Sequence, residues 1–208
     1  MCDYSSDLEK LDTPIIEGMQ FFEKKWLDTV ESDIALEINN WTRDHSTPDS
    51  DLILQMDIEG YEYKNIIHCT DETLKRFRII VLEIHHLHLL PFSQFLNGVF
   101  LPTFQKLTSS FTCVHSHSNN CCPQIDLGYN LEIPAVCELT FLRNDRLHHD
   151  RIVPVQLPHP LDRLNDISKP ALDIPSWSKK YSDRNEYLHH KTLHQISLLE
   201  KKVNGWSQ

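Results

Sequence analysis

Glycine is scarce in this 208-residue chain, with five residues at Gly18, Gly60, Gly98, Gly128 and Gly205. None stands close to another, which excludes a Gly-x-Gly-x-x-Gly fingerprint and a Gly-x-x-x-x-Gly-Lys phosphate loop, because both use paired glycines to bring backbone against a phosphate. A Gly-x-Ser-x-Gly elbow and a His-Glu-x-x-His helix are missing as well. Basic charge is also short: 20 Lys and Arg against 30 Asp and Glu leave a net charge of -10. No basic face is on offer, so nucleic acid is not expected as a partner. No apolar run approaches the roughly 18 to 20 residues of a membrane span. The start, Met1-Cys2-Asp3-Tyr4, is acidic where a secretory leader is basic and then apolar. A soluble, cytoplasmic protein with one domain over 1–208 is the expectation. The six cysteines include no Cys-x-x-Cys pair, and reduced thiols are expected.

What is present is a chain of alternating helical and strand-like segments. Residues 1–31 have no clear period, but Phe21, Phe22 and Trp26 are expected to pack on a core. Ser32-Asp33 suits a helix start, and Ile34, Ile38 and Trp41 repeat at helical spacing, giving a helix over 33–44. Leu52-Ile53-Leu54-Gln55-Met56 reads as a buried strand. Helices over 61–67 and 70–77 should follow, then a strand over 79–83. Strand, helix, strand at this spacing calls for a parallel pair with a right-handed crossover. A helix over 93–107 is expected to break or kink at Pro102. Phe111–His115 and Ala135–Leu142 are further strands, separated by a loop over 119–134. A proline-punctuated, irregular wrap over 144–180 and a terminal helix over 183–203 complete the reading.

Ligands of open α/β sheets bind outside the carboxyl ends of the strands. That rule draws attention to Asp57 and Glu59 after the first strand, Glu83 and His85 after the second, and His115, His117, Asn119 and Asn120 after the third. Asp57 and Glu59 near a helix start also make sense as acids favoured by the helix dipole. His115 and His117 alternate onto one strand face, where two imidazoles can bind a metal or move a proton. A hydrogen-bonded, space-filling pair is the blander account, given 13 histidines in the chain. His115, His117, Cys121 and Cys122 are zinc-compatible types without a standard zinc spacing, so no metal site is assigned.

The segments Asp51-Leu52-Ile53-Leu54-Gln55-Met56-Asp57-Ile58-Glu59-Gly60-Tyr61-Glu62-Tyr63 and Ile80-Val81-Leu82-Glu83-Ile84-His85-His86 resemble the paired central strands of the FkbM-like methyltransferase family. Val114-His115-Ser116-His117-Ser118-Asn119-Asn120-Cys121 and Ile133-Pro134-Ala135-Val136-Cys137-Glu138-Leu139-Thr140-Phe141 are similar to later strands of that family. Leu157-Pro158-His159-Pro160-Leu161-Asp162 and Ile174-Pro175-Ser176-Trp177 look like its irregular tail. The resemblance spans 51–177. It implies a Rossmann-like, mostly parallel methyltransferase sheet, the cofactor S-adenosylmethionine, and a hydroxyl-bearing methyl acceptor.

By the same resemblance, a first strand with a glycine loop holds the cofactor's amino-acid part and an acid ending the second strand holds its ribose. That first strand and loop are not recognisable here, and Asp3 is the candidate for the ribose acid. The expected roles are catalysis for Asp57, Glu83, His115 and His117, cofactor binding for Asp3, Asp57 and Glu59, and acceptor binding for His85, Asn119 and Asn120. Two functions stay open: an O-methyltransferase, inactive as a fragment, or a degenerate homologue acting as a non-catalytic binding or scaffold protein. Weak or absent binding of S-adenosylmethionine is expected. The strands at 52–56 and 79–83 should be adjacent and parallel, with Asp57, Glu83, His115 and His117 at one sheet edge.

Overall fold

The computed structural model describes residues 1–10, 13–127, 132–147 and 158–172. The terminal helix expected over 183–203 and the segment Ile174–Trp177 lie outside the described residues.

At the centre is a four-stranded sheet of β3 (Leu52–Met56), β4 (Phe77–Ile84), β5 (Phe111–Ser118) and β8 (Cys137–Arg143), in the order β3-β4-β8-β5. β3 and β4 are parallel, with Met56 opposite Leu82, as their βαβ spacing requires. β4 alternates, so that Ile80, Leu82 and Ile84 are fully buried. α2 (Glu62–His68) is the crossover element. It packs on β4 and on α5 (Leu101–Ser110), burying Ile66 and Leu107 completely. Each such side chain is worth about 1.5–3 kcal/mol of transfer free energy.

The expectation of a mostly parallel sheet is corrected by β8, which is antiparallel to both β4 and β5. The sheet is mixed. Its cause is connectivity: a helical crossover returns β5 in the direction of β4, and the chain then doubles back through the hairpin β6 (Gln124–Asp126) and β7 (Glu132–Pro134). β8 fills the gap between β4 and β5. Among the described residues, β3 has a sheet neighbour on one side only, and Ile53 on it is exposed.

Several local expectations shift. The first helix, α1, is Ile38–Asp44 and not 33–44, because Ala35–Glu37 forms β2, paired with the parallel β1 (Trp26–Asp28). Its cap is Glu37, whose carboxylate accepts from the amides of Asn39 (3.0 Å) and Asn40 (2.9 Å). α3 (Asp71–Leu74) stops short of Phe77, which opens β4 and is buried there. At Pro102 the helix does not break, but it is distorted by a π turn just ahead of the proline. α4 (Ser93–Phe95) runs through a π turn (Leu96–Phe100) into α5, and the proline sits in the first turn of α5, where a missing N–H costs little. Phe21 and Trp26 are exposed, contrary to the expected core role. Trp26 stacks on Tyr4 at 4.8 Å, while its neighbour Leu27 is the buried one.

Candidate functional site at the carboxyl edge of the sheet

β3 and β4 end at one edge, and the chain turns sharply there. Ile58 accepts from the amide of Tyr61, and the two residues between, Glu59 and Gly60, have φ of +57° and +99°. Among the described residues, Glu59 and His86 are the non-glycine positions with positive φ, and both flank this turn. A Cβ on Gly60 would also meet the His86 ring, but that exposed side chain can turn away, so the positive φ is what calls for glycine here. Backbone in such regions costs of order 1–3 kcal/mol per residue and collects at functional sites.

The turn delivers a carboxylate to the back of an imidazole. Oε1 of Glu62 accepts from the amides of Ile58 (2.9 Å) and Gly60 (3.2 Å) and lies 3.1 Å from Nδ1 of His85. Glu62 is wholly buried. Burial pushes its pKa up, but the hydrogen bonds from His85 and the backbone outweigh that and hold it low. The hydroxyl of Tyr63 donates to the carbonyl of His85 at 2.6 Å and fixes the strand end. His85 is held with Nε2 facing Asp57 Oδ1 (3.9 Å) and Glu59 Oε2 (3.4 Å). The bond to Glu62, opposed by burial, raises its pKa to about 9. Glu83 is raised by burial and then by the facing Asp57 carboxylate, against the bond from Asn119. Asn119 donates to Glu83 at 2.6 Å and accepts from the Cys121 amide at 2.8 Å.

A second group sits further along the same edge. Glu138 of β8 pairs with Glu83 on one side and His117 on the other, so His117 is two interstrand spacings, about 10 Å, from Glu83. His115 Nε2 lies 2.9 Å from Asp162 Oδ1, and His117 Nδ1 lies 3.6 Å from Asp162 Oδ2. The amide of His159 also donates to Asp162, at 2.7 Å. The sheet therefore brings Asp57, Glu59, Glu83, His85 and Asn119 into one cluster, and places His115 and His117 in a neighbouring one built around Asp162.

Two expected site residues are used elsewhere. The carboxylate of Asp3 accepts from the Ser5 amide (2.8 Å), the Ser5 hydroxyl (2.7 Å) and the Ser6 hydroxyl (2.6 Å). These local bonds close a turn directly after the Cys2–Glu23 bridge and occupy most of the carboxylate's acceptor positions. Asn120 is almost fully buried and pins a loop: its amide nitrogen donates to the carbonyls of Asp166, Lys169 and Pro170, and its oxygen accepts from the Asp166 amide. Acceptor binding by Asn120 would require giving up those bonds. The Sγ atoms of Cys121 and Cys122 are 3.2 Å apart, and His115 and His117 turn to Asp162, so these four do not form a metal-ligand group among the described residues.

Sequence reasoning missed Glu62 and Asp162. Glu62 lies in the first turn of α2, where an acid is explained by the helix dipole alone. Asp162 is 47 residues from His115, and no local pattern connects them. A cavity of about 450 Å³ runs along the open side of β3, lined by Cys2, Leu27, Trp41, Leu54 and Met56 among others, and ends at Asp57 and Ile58.

The family model of the Methyltransferase FkbM domain matches residues 24–111. The match contains both central strands with Asp57, Glu59, Glu62, Glu83 and His85, so this segment is similar to the FkbM methyltransferase domain. It begins upstream of the resemblance drawn from sequence and ends at the start of β5, before His115 and Asp162. Proteins of methyltransferase domain families generally use S-adenosylmethionine. No curated protein and no solved structure matches the chain significantly. Among the described residues, no helix is long and apolar enough to cross a membrane.

Proposed function

We propose that this chain is an S-adenosylmethionine-dependent O-methyltransferase whose hydroxyl-bearing acceptor binds at the carboxyl edge of β3 and β4. The observation that carries the reading is the convergence of Asp57, Glu83 and His85 within a segment matching a methyltransferase family. S-adenosylmethionine supplies the methyl group when bound. Asp57 and Ile58 stand at the end of a cavity of about 450 Å³, a volume in the ordinary range for small-molecule sites. Asp57, Glu83 and His85 offer hydrogen bonds to the body of the acceptor, whose reacting hydroxyl reaches the neighbouring group around Asp162.

As that oxygen gains a methyl group it must lose its proton. An imidazole oriented by a carboxylate is suited to take it, and His115 on Asp162 has that arrangement at the same edge. His117 flanks it. The test is transfer of labelled methyl groups to hydroxyl compounds of graded size, with Asp57→Asn and His115→Ala beside the parent. Labelled ether products that fall at least tenfold in either variant support the reading; transfer unchanged in both refutes these roles.

A second reading, a non-catalytic homologue acting by binding, is favoured by the engagement of Asp3 with Ser5 and Ser6 and by the lack of any close glycine pair. Calorimetry with S-adenosylmethionine separates the two. Micromolar binding supports the enzyme, and no heat at millimolar cofactor supports the binding protein.

A further inference from the structure

Asp57, Glu83 and His85 each present one metal-ligand atom, and these atoms all lie within 4.8 Å of one another. Bonds of about 2.1 Å to a dication separate neighbouring ligand atoms by roughly 3.0–3.5 Å. The 3.9 Å between His85 Nε2 and Asp57 Oδ1 therefore needs to close by less than about 1 Å. Asp57 is exposed and free to supply that movement.

Two further features point the same way. His85 is backed through Nδ1 by Glu62, a buried carboxylate, which fixes the ring so that Nε2 faces Asp57 and Glu59. Carboxylates in that position orient histidine ligands and strengthen them as donors. The other oxygen of Glu62, Oε2, is buried with no hydrogen-bond partner. A wholly buried carboxylate with an unpartnered oxygen is costly, and positive charge relayed through the imidazole offsets that cost. Glu83 is likewise steadied from behind by the Asn119 amide at 2.6 Å. Two rigidly backed ligands and one mobile ligand thus share one focus.

We infer that Asp57, Glu83 and His85 form a binding site for a first-row transition dication, held by one imidazole nitrogen and two carboxylate oxygens with its remaining positions open to water or a ligand oxygen. The nitrogen donor disfavours calcium and magnesium, which take oxygen ligands, and the absence of thiolate from the set disfavours copper(I). Manganese(II) and zinc(II) match the donors. This assignment does not depend on the methyl-transfer reading.

Manganese(II) is the probe, because its electron-paramagnetic signal from the free ion is lost on binding. The purified full chain should bind one equivalent, and a large excess of magnesium should displace little of it. Asp57→Asn and His85→Ala should each weaken binding at least tenfold, and Glu62→Gln by about 10- to 100-fold through loss of the orienting bond. The double variant Cys121→Ser/Cys122→Ser should bind as the parent does. Circular dichroism of each variant shows which remain folded, and Asp57→Asn decides the matter if the buried changes unfold the chain, since Asp57 lies at the surface. No manganese binding by the parent, equal binding by Asp57→Asn, or loss of binding in the cysteine variant would each overturn the assignment.

Discussion

Gly60→Ala separates two causes that meet in one turn. The added Cβ would sit 2.2 Å from Nε2, 2.5 Å from Cδ2 and 3.2 Å from Cε1 of His86. Such contacts cannot persist, but His86 is exposed, and its ring can swing toward solvent to relieve most of the overlap. The φ of +99° at Gly60 offers no such escape. An L residue there pays of order 1–3 kcal/mol, and that is the expected loss of stability in urea unfolding, with an unchanged dependence on denaturant. The double variant Gly60→Ala/His86→Ala isolates the steric part. It should recover no more than about 0.5 kcal/mol of interaction energy, the size of an ordinary additivity error. Two outcomes would refute the reasoning: Gly60→Ala as stable as the parent, which removes the backbone argument, or complete recovery in the double variant, which makes the collision the whole effect.

Glu37→Ala removes the cap of α1 and the 2.9 Å pairing with His68, and should cost about 1 kcal/mol in equilibrium unfolding at neutral pH. Burial pushes the Glu37 carboxyl up, but the bonds from Asn39 and Asn40 outweigh it and lower its pKa. Its contribution is therefore full above the unfolded-state value and fades as pH falls through the lowered folded-state value; the parent and the variant should converge in stability in acid. Asn120→Ala leaves the Asp166, Lys169 and Pro170 carbonyls without their shared donor. It should speed hydrogen exchange of the Asp166 amide strongly while leaving the amides of β4 slow. Asp3→Ala should leave any affinity for S-adenosylmethionine within twofold of the parent, because that carboxylate already serves Ser5 and Ser6; a large loss by calorimetry would restore it to the cofactor site.

The central pair of strands was legible in the sequence because its signals are local. The apolar runs 52–56 and 79–83, each turning acidic at its end and separated by helical spacing, fix two parallel strands and the edge at which Asp57 and Glu83 emerge. Such reading needs only the period of the side chains and the stiffness of a βαβ crossover. Three features were decided by tertiary structure. The direction and place of β8 follow from a return through a hairpin, so an apolar run that reads as one more strand gives no sign that it reverses the sheet. Asp162 reaches His115 from an irregular segment, where the partner is chosen by how the loop folds back and not by spacing. The start of α1 was misplaced because Ser32-Asp33 and Glu37 both carry capping chemistry, and pairing of Ala35–Glu37 with β1 takes those three residues out of the helix. Glu62 shows the limit most sharply. Its position at a helix start explains an acid there, but only the packing of that helix beneath the end of β4 turns the same carboxylate into the support for His85.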